Sequence, residues 1–224
     1  MTALVACDGP SDGVVTLTLD RPERKNALSI ALRDAVSDHL DRLAHDDAVK
    51  VLVITGAGDA FCAGFDLAEF GSDDTEVQSR LWPSSDRFHH AVLRFPVPTV
   101  AAVNGAALAG GFDLAVLCDV RIAAASAYFA HPEHTFGDVV YAPLHDLVGG
   151  AVARDLCFTG RRVDADEALR LGLVTRVVPD ADLATSTAAL AAEIASAPRA
   201  VLLRTKAKAL ERLAIAPDTT TLEL

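Results

Sequence analysis

The chain reads as an α/β protein, on three observations. Runs of β-branched and apolar residues alternate with stretches of helical periodicity through most of its length. One strand-like run, residues 99–103, passes through a turn of small residues into a helix-like apolar run at 114–117. Of the 224 residues, 51% are apolar but only 5% aromatic, and Ala and Val dominate, a composition suited to helices packed closely on a sheet. The length fits one large domain, or one domain with a helical appendage. We expect an α/β core over residues 1–180 that carries the site, followed by a helical segment over 181–224.

Val14 to Leu19 alternates apolar residues with Thr and predicts a half-exposed strand. Leu32, Val36, Leu40 and Leu43 recur at helical spacing, so residues 29–45 form an amphipathic helix. Residues 49–55 are a second, more buried strand, and 56–59 a turn. Residues 70–95 have weak periodicity, the acidic pair Asp73 and Asp74, and the run Pro83-Ser84-Ser85; a loop plus one helix is expected. Residues 99–103 and 120–124 are further strands. Leu183, Thr187, Leu190 and Ile194 mark a helix behind a capping Asp180, and Leu203, Ala207 and Leu210 mark the last helix. After Ala214 the tail has no amphipathic pattern. No linker and no fixed-period repeat interrupts the chain.

The formal net charge of −11 opposes non-specific nucleic-acid binding, which needs a basic face. A local basic cluster, Arg21, Arg24 and Lys25, still suits a small anionic ligand. No apolar run is long enough to span a bilayer, so no membrane partner is expected. The first residues carry acid and no basic segment, unlike a secretory leader. The four cysteines (Cys7, Cys62, Cys118, Cys157) are scattered without CxxC spacing and read as reduced thiols. Together these point to a cytoplasmic protein.

The chemistry concentrates in Asn104-Gly105-Ala106-Ala107-Leu108-Ala109-Gly110-Gly111-Phe112-Asp113. A helix beginning near Gly110 presents amides without intrahelical partners at the positive end of its dipole. Two glycines leave those amides open to a group of partial negative charge, and Asp113 follows within one turn. The same glycines also suit plain close packing, and an Asp in a first turn stabilises the dipole without doing chemistry. A second small-residue turn, residues 60–67, follows another strand and exposes backbone between Ala63 and Gly64. Two amide sources from two strand ends would make an oxyanion hole. Glu133 offers a second carboxylate.

Other motifs fail on their spacing. Gly56-Ala57-Gly58 follows a strand, but Phe61 stands where a dinucleotide fingerprint needs its third glycine. Gly110-Gly111 lacks the Lys of a phosphate loop. His131-Pro132-Glu133-His134 has metal-binding side chains, but Pro132 opposes a regular helical pair and no further ligand cluster accompanies it. No metal site is expected, and no G-x-S-x-G context supports a serine nucleophile.

The surviving pieces stand in a telling order: residues 21–28 (RPERKNAL), 60–67 (AFCAGFDL), 98–105 (PTVAAVNG) through Gly110-Gly111, Cys118-Asp119, Phe129-x-x-Pro132-Glu133, 159–161 (TGR), Ala165-x-Glu167-Ala168 and 172–174 (GLV). In this order and spacing the chain resembles the enoyl-CoA hydratase/isomerase (crotonase) superfamily over residues 14–213. The resemblance implies a spiral of ββα units with a short C-terminal helical segment, assembled as a homotrimer or dimer of trimers. It places the amides of Phe65 and Gly110 at the oxyanion hole for a thioester carbonyl. It places Arg24, Lys25, Ala27, Ala63, Asp66 and Leu67 along the coenzyme A pocket, with Gly64, Ala109, Pro132 and Tyr141 also on the substrate side. Asp113 and Glu133 fall on the two catalytic carboxylate positions.

The implied reaction adds water across the double bond of a 2-enoyl-CoA thioester. Asp113 would position the water and Glu133 would transfer a proton at C2. No cofactor is called for, because coenzyme A enters with the substrate. The alternatives are an acyl-CoA double-bond isomerase, of enoyl or dienoyl type, and a non-catalytic acyl-CoA binding protein.

Three departures accompany the resemblance. Hydratases usually place Glu where this chain has Asp113, which sets the carboxylate back by on the order of 1.5 Å. Dienoyl isomerases share the Asp but use a further acid where Tyr141 stands, with Asp138 close by. After the catalytic Glu, hydratases carry Pro-Gly-x-Gly-Gly; here residues 137–146 lack those glycines, and Tyr141 or His145 is expected to enter the acyl pocket. The chain also ends sooner after Leu213 than the family pattern, which implies a more open site or a differently built trimer.

Overall fold

The computed structural model describes residues 3–224. The first strands are β1 (Val5–Ser11) and β2 (Val14–Leu19), followed by α1 (Ile30–Ala44), β3 (Val51–Gly56) and β4 (Ala60–Cys62). Next come α2 (Leu67–Phe70), α3 (Thr75–Leu93), β5 (Thr99–Val103), β6 (Ala106–Leu108) and α4 (Gly110–Leu117). They lead to β7 (Val120–Ala124), β8 (Tyr128–Ala130), α5 (Ala142–Val148), α6 (Gly150–Thr159) and β9 (Val163–Asp164). The chain closes with α7 (Ala165–Arg170), β10 (Arg176–Val178), α8 (Leu183–Ala195) and α9 (Arg199–Leu213).

Three successive units repeat one plan, which is the ββα spiral expected from the resemblance. A longer strand enters a six-stranded sheet ordered β1-β2-β3-β5-β7-β10, and a three-residue strand then enters a four-stranded sheet ordered β4-β6-β8-β9. Helix follows before the next unit begins. The equivalent strands of successive units therefore lie side by side and parallel in each sheet. Leu52 pairs with Thr99 and Ala101 with Arg121 in the large sheet, and Leu108 with Ala130 in the small one. This register has a consequence for function. The chain leaves β4, β6 and β8 at the same edge of the small sheet, so three turns far apart in sequence become neighbours.

The core lies between these sheets and their helices. Every residue of β5 is buried, and α4 is buried along its whole length. Small side chains such as Ala101, Ala115 and Ala123, all inaccessible, allow that close approach. Among the described residues no helix is long and apolar enough to cross a membrane.

Several elements depart from the sequence reading. β1 was not signalled, because Asp8, Gly9 and Pro10 are strand breakers; it survives as an edge strand, antiparallel to β2, with an irregularity between Asp8 and Ser11. Pro83-Ser84-Ser85 lies within the 19-residue helix α3 rather than in a loop. Pro83 is exposed, while Ser84 bonds Arg33 and Asp34 of α1 across the helix pair. Asp180 does not cap α8: it precedes that helix in a 3₁₀ turn, and its carboxylate accepts the Ser126 amide at 3.0 Å.

The helices after residue 180 are fastened to the core by charged side chains. α8 packs on β2, β3, β5 and β7 of the large sheet. Lys50 donates to the Ala195 carbonyl at 2.8 Å, and Lys206 reaches Asp119 at 2.7 Å. The tail beyond α9 folds back onto α3: Thr221 donates its amide and hydroxyl to Asp86 at 2.7 and 2.8 Å. The Leu224 carbonyl accepts the amides of Tyr141 and Ala142 at 3.0 and 2.6 Å.

One buried cation fixes the end of α4. Arg121 is 2% exposed and donates to the carbonyls of Ala115, Cys118, Asp119 and Leu173. Removing the guanidinium strands buried acceptors, at about 1–3 kcal/mol for each one left without water. Arg121→Met is expected to destabilise the protein by about 3 kcal/mol or more, read as a lowered midpoint in urea with an unchanged slope.

Candidate active site

The three turns at the edge of the small sheet build the site. The first follows β4. Ala63 donates to the Lys25 carbonyl at 3.0 Å and Leu28 to the Gly64 carbonyl at 2.8 Å, which lays residues 25–28 alongside this turn. Asn26, fully buried, donates to the carbonyls of Ala57 and Ala60 at 2.9 Å each and so fastens that segment to the β3–β4 connection. The second turn follows β6: the Ala109 amide extends the ladder to the Ala130 carbonyl at 3.0 Å, and α4 begins at Gly110.

These two turns touch. Gly64 has φ +86°, and a Cβ there would lie 2.6 Å from the Ala109 Cβ and 2.8 Å from the Leu108 carbonyl oxygen. Only glycine permits both the backbone conformation and the approach. Gly111 is held as tightly, since a Cβ would fall 2.1 Å from the Cys62 carbonyl oxygen, so the first turn of α4 rests on β4. The amides of Phe65 and Gly110 are thereby brought to one place, and neither donates to an acceptor among the described residues. Ala109 carries φ +50°, ψ −130°, an unfavourable conformation for a residue with a side chain, held by the ladder bond before it and the helix after it. The Phe65 ring is fixed from behind by Arg33, whose guanidinium carbon lies 4.6 Å from the ring centroid. Arg33 is itself buried and held by the carbonyls of Leu28 and Leu81.

The third turn follows β8. Pro132–Thr135 is a 3₁₀ turn with His131 at its start, and it aims His131 and Glu133 inward together. Nδ1 of His131 lies 2.9 Å from Oε1 of Glu133 and 3.8 Å from Oδ1 of Asp113, which enters from α4. The three side chains are 1%, 9% and 6% exposed. Oε2 of Glu133, Oδ1 of Asp113 and Nε2 of His131 have no hydrogen-bond partner. Burial pushes the Asp113 carboxyl up to about 7; Glu133 adds to the rise, while His131 and the Val140 amide oppose it. For His131, burial lowers the ring's proton affinity, but the hydrogen bond to Glu133 and the two nearby carboxylates outweigh it and hold the value above normal.

Asp113, Glu133, Phe65 and Gly110 face one cavity of about 370 Å³. Its wall includes Ala63, Leu67, Ala109, Gly110, Pro132, Asp113 and Glu133 from the residues singled out in the sequence. Gly64 stands behind it. Arg24 and Lys25 are exposed and, with Ala27, lie beside the Ala63–Phe65 turn, outside the cavity wall. Asp66 also lies outside, paired with Arg21 at 2.7 Å.

Two expectations fail. Neither Tyr141 nor His145 enters the cavity. Their rings stand 5.6 Å apart at the start of α5, where the bonds from Tyr141 and Ala142 to the Leu224 carbonyl set the backbone; Val140 and Asp138 line the wall instead. The tail, read as patternless, contributes Thr221 and Leu222 to the wall.

The sequence reading also missed the aromatic side of the cavity and the histidine. Trp82 stands edge to face on Phe65 and Phe70, Phe136 stands edge to face on Phe70, and Phe70 is tilted against Phe65, with centroids 6.0–6.4 Å apart. They come from segments of weak periodicity, and nothing local marks them. His131 was weighed only as a metal ligand. The available signal was a His two residues before Glu133 at the end of an apolar strand. Among the described residues no group of three or more His, Cys, Asp and Glu is arranged to hold a metal ion.

Comparison with known proteins identifies the family. The enoyl-CoA hydratase/isomerase family profile matches residues 9–223. A putative enoyl-CoA hydratase of Thermus thermophilus is 40% identical over 200 residues, 85% of this chain and 78% of the relative. The 1,2-epoxyphenylacetyl-CoA isomerase of Escherichia coli is 35% identical over 194 residues, 83% of this chain and 74% of that protein. The crystal structure of an enoyl-CoA hydratase from Bacillus anthracis superimposes with a TM-score of 0.88 at 32% identity, covering 96% of this chain and 85% of the other. The chain belongs to the enoyl-CoA hydratase/isomerase family and has the crotonase fold.

The raised Asp113 value makes a prediction about stability. The unfolded carboxyl titrates near 3.8 and the folded one near 7, so the folded state binds the extra proton between them. Stability from this group is full below about pH 4 and is lost as pH rises through 7. Asp113→Asn is therefore expected to raise Tm by about 5–10 °C more at pH 8 than at pH 5, measured by thermal unfolding.

Proposed function

We propose that this protein is an enoyl-CoA hydratase, adding water across the double bond of a 2-enoyl-CoA thioester. One observation carries the reading: two carboxyl groups face one cavity, each with an unpaired oxygen, beside two unengaged amides. Hydration needs that set. As the oxygen of water bonds to C3, negative charge develops on the thioester oxygen, where the amides of Phe65 and Gly110 receive it. A single such donor is worth about 3–4 kcal/mol of barrier. Asp113 orients the water and takes its proton. Its value near 7 suits a base that must be ionised at neutral pH yet still attract a proton. Glu133 gives a proton to C2. The coenzyme A moiety runs past the Ala63 turn, where Arg24 and Lys25 offer exposed positive charge to its phosphates. The chemistry is proton transfer throughout and calls for no redox group.

A second reading rests on the apolar and aromatic wall beside the buried Asp113, which would keep water away. An isomerase moving the double bond between C2 and C3 needs the amides and one carboxylate, but no water.

One experiment separates them: ultraviolet absorbance of the conjugated thioester with short- and medium-chain 2-enoyl-CoAs, and in parallel with 3-enoyl-CoAs. For a hydratase, conjugation is lost from the 2-enoyl substrate, and Glu133→Gln and Asp113→Asn each lower kcat by about 10²–10⁴-fold. The rate rises with pH through about 7 as Asp113 ionises, and Asp113→Asn abolishes that limb. Conjugation gained from a 3-enoyl-CoA, with Asp113→Asn still active, would establish the isomerase. Turnover of neither substrate would overturn both readings.

A further inference from the structure

One buried polar side chain beside the two carboxyls, His131, takes no part in the hydration step itself. His131 is 1% exposed. Its ring stacks on Phe112, with centroids 4.5 Å apart and planes 23° apart, so its orientation is fixed by the same helix that carries Asp113. A carboxyl oxygen that bears no proton can only accept, so the 2.9 Å contact to Oε1 of Glu133 assigns a hydrogen to Nδ1 of His131 and leaves Oε2 as the oxygen that exchanges the proton. That bond uses one oxygen of Glu133 and leaves Oε2 unpaired. A buried imidazole stacked on one helix and bonded to a carboxylate of its own turn is a device for orientation.

We propose that His131 is a positioning residue for the reaction: by donating Nδ1–H to Oε1 of Glu133, with its ring set between the two carboxyls, it fixes Oε2 as the oxygen that meets the acyl chain. The inference rests on the reading that Glu133 moves the proton at C2. The geometry gives His131 a second effect. It stands 3.8 Å from Asp113, and its positive charge opposes the rise of that carboxyl. The titratable groups around the ring are Asp113 on α4, Glu133 on its own turn, His134, whose Nδ1 bonds the His131 carbonyl, and Cys157 on α6, which lies close enough to feel both carboxylates. Of these, only Asp113 and Glu133 carry charge against it.

Two variants test the idea. Asparagine places an N–H donor where Nδ1 stands but carries no charge; leucine has neither. With the enoyl-CoA that the wild-type protein turns over, His131→Asn is expected to keep kcat within about fivefold, and His131→Leu to lose about 10–100-fold in kcat with KM within threefold. In both, the limb assigned to Asp113 moves to higher pH, because the opposing positive charge is gone. A purely structural histidine would lower Tm and leave that limb in place. If His131 works through Glu133, adding His131→Leu to Glu133→Gln costs little more than Glu133→Gln alone.

Equal losses in the asparagine and leucine variants, an unmoved limb, or fully additive losses would each overturn the proposal. Should the leucine variant not fold, the asparagine variant decides it: a kcat below a tenth of wild type or an unmoved limb overturns it, and retained kcat with a displaced limb supports it. Failure of the underlying reading looks different, since Glu133→Gln would then be as active as wild type whatever stands at 131.

Discussion

The contact between the turn at Gly64 and the turn at Ala109 is the constraint on which the site depends. Two strands of the small sheet end side by side, and their following residues meet with no room for a side chain between them. That contact holds two amides at one point while denying both a protein acceptor. It also sets where α4 begins, and thus where Asp113 points. The strained backbone of Ala109 belongs to the same arrangement: a ladder bond on one side and a helix on the other hold a conformation that the residue would not adopt alone.

The spiral explains why these turns meet. Each unit sends one strand into each sheet, so parallel neighbours in the small sheet, such as Ala60 with Ala106 and Ala106 with Tyr128, come from successive units of the chain. The third unit delivers His131 and Glu133 to the edge where the first two deliver their amides. A carboxylate from a helix and one from a 3₁₀ turn then share a low-dielectric space, and a shared site of that kind separates the behaviour of two otherwise similar groups. Arg33 behind Phe65 and Arg121 below α4 do related work at the periphery. Each is a buried cation satisfied by carbonyl oxygens rather than by a directly bonded carboxylate, and each locks backbone near the site.

Much of this was legible in the chain. The strands at 14–19 and 99–103, the amphipathic helix after Ser29 and the two small-residue turns follow from periodicity and from glycine placement. The turns stand out because two strand ends carry so little side chain, which serves both the close contact between them and the open amides beside it. What was not legible has a common physical cause. β1 is an edge strand whose breakers are tolerated because one side needs no partner. α3 keeps Pro83 because that residue faces solvent. Phe70, Trp82 and Phe136 gather only through tertiary folding. The bond between His131 and Glu133 needs a 3₁₀ turn that Pro132 starts, and two residues apart is not a spacing that a helix brings together.

The chain contains a single tryptophan, and Trp82 lies in the cavity wall, edge-on to both Phe65 and Phe70. The protein thus carries its own optical reporter at the place where an acyl group would rest. Filling the cavity changes the polarity around that one indole, so emission from the unlabelled protein follows occupancy directly. A series of saturated thioesters of increasing length could then be ranked by the wavelength and intensity they produce, giving the reach of the pocket independently of whether any of them reacts.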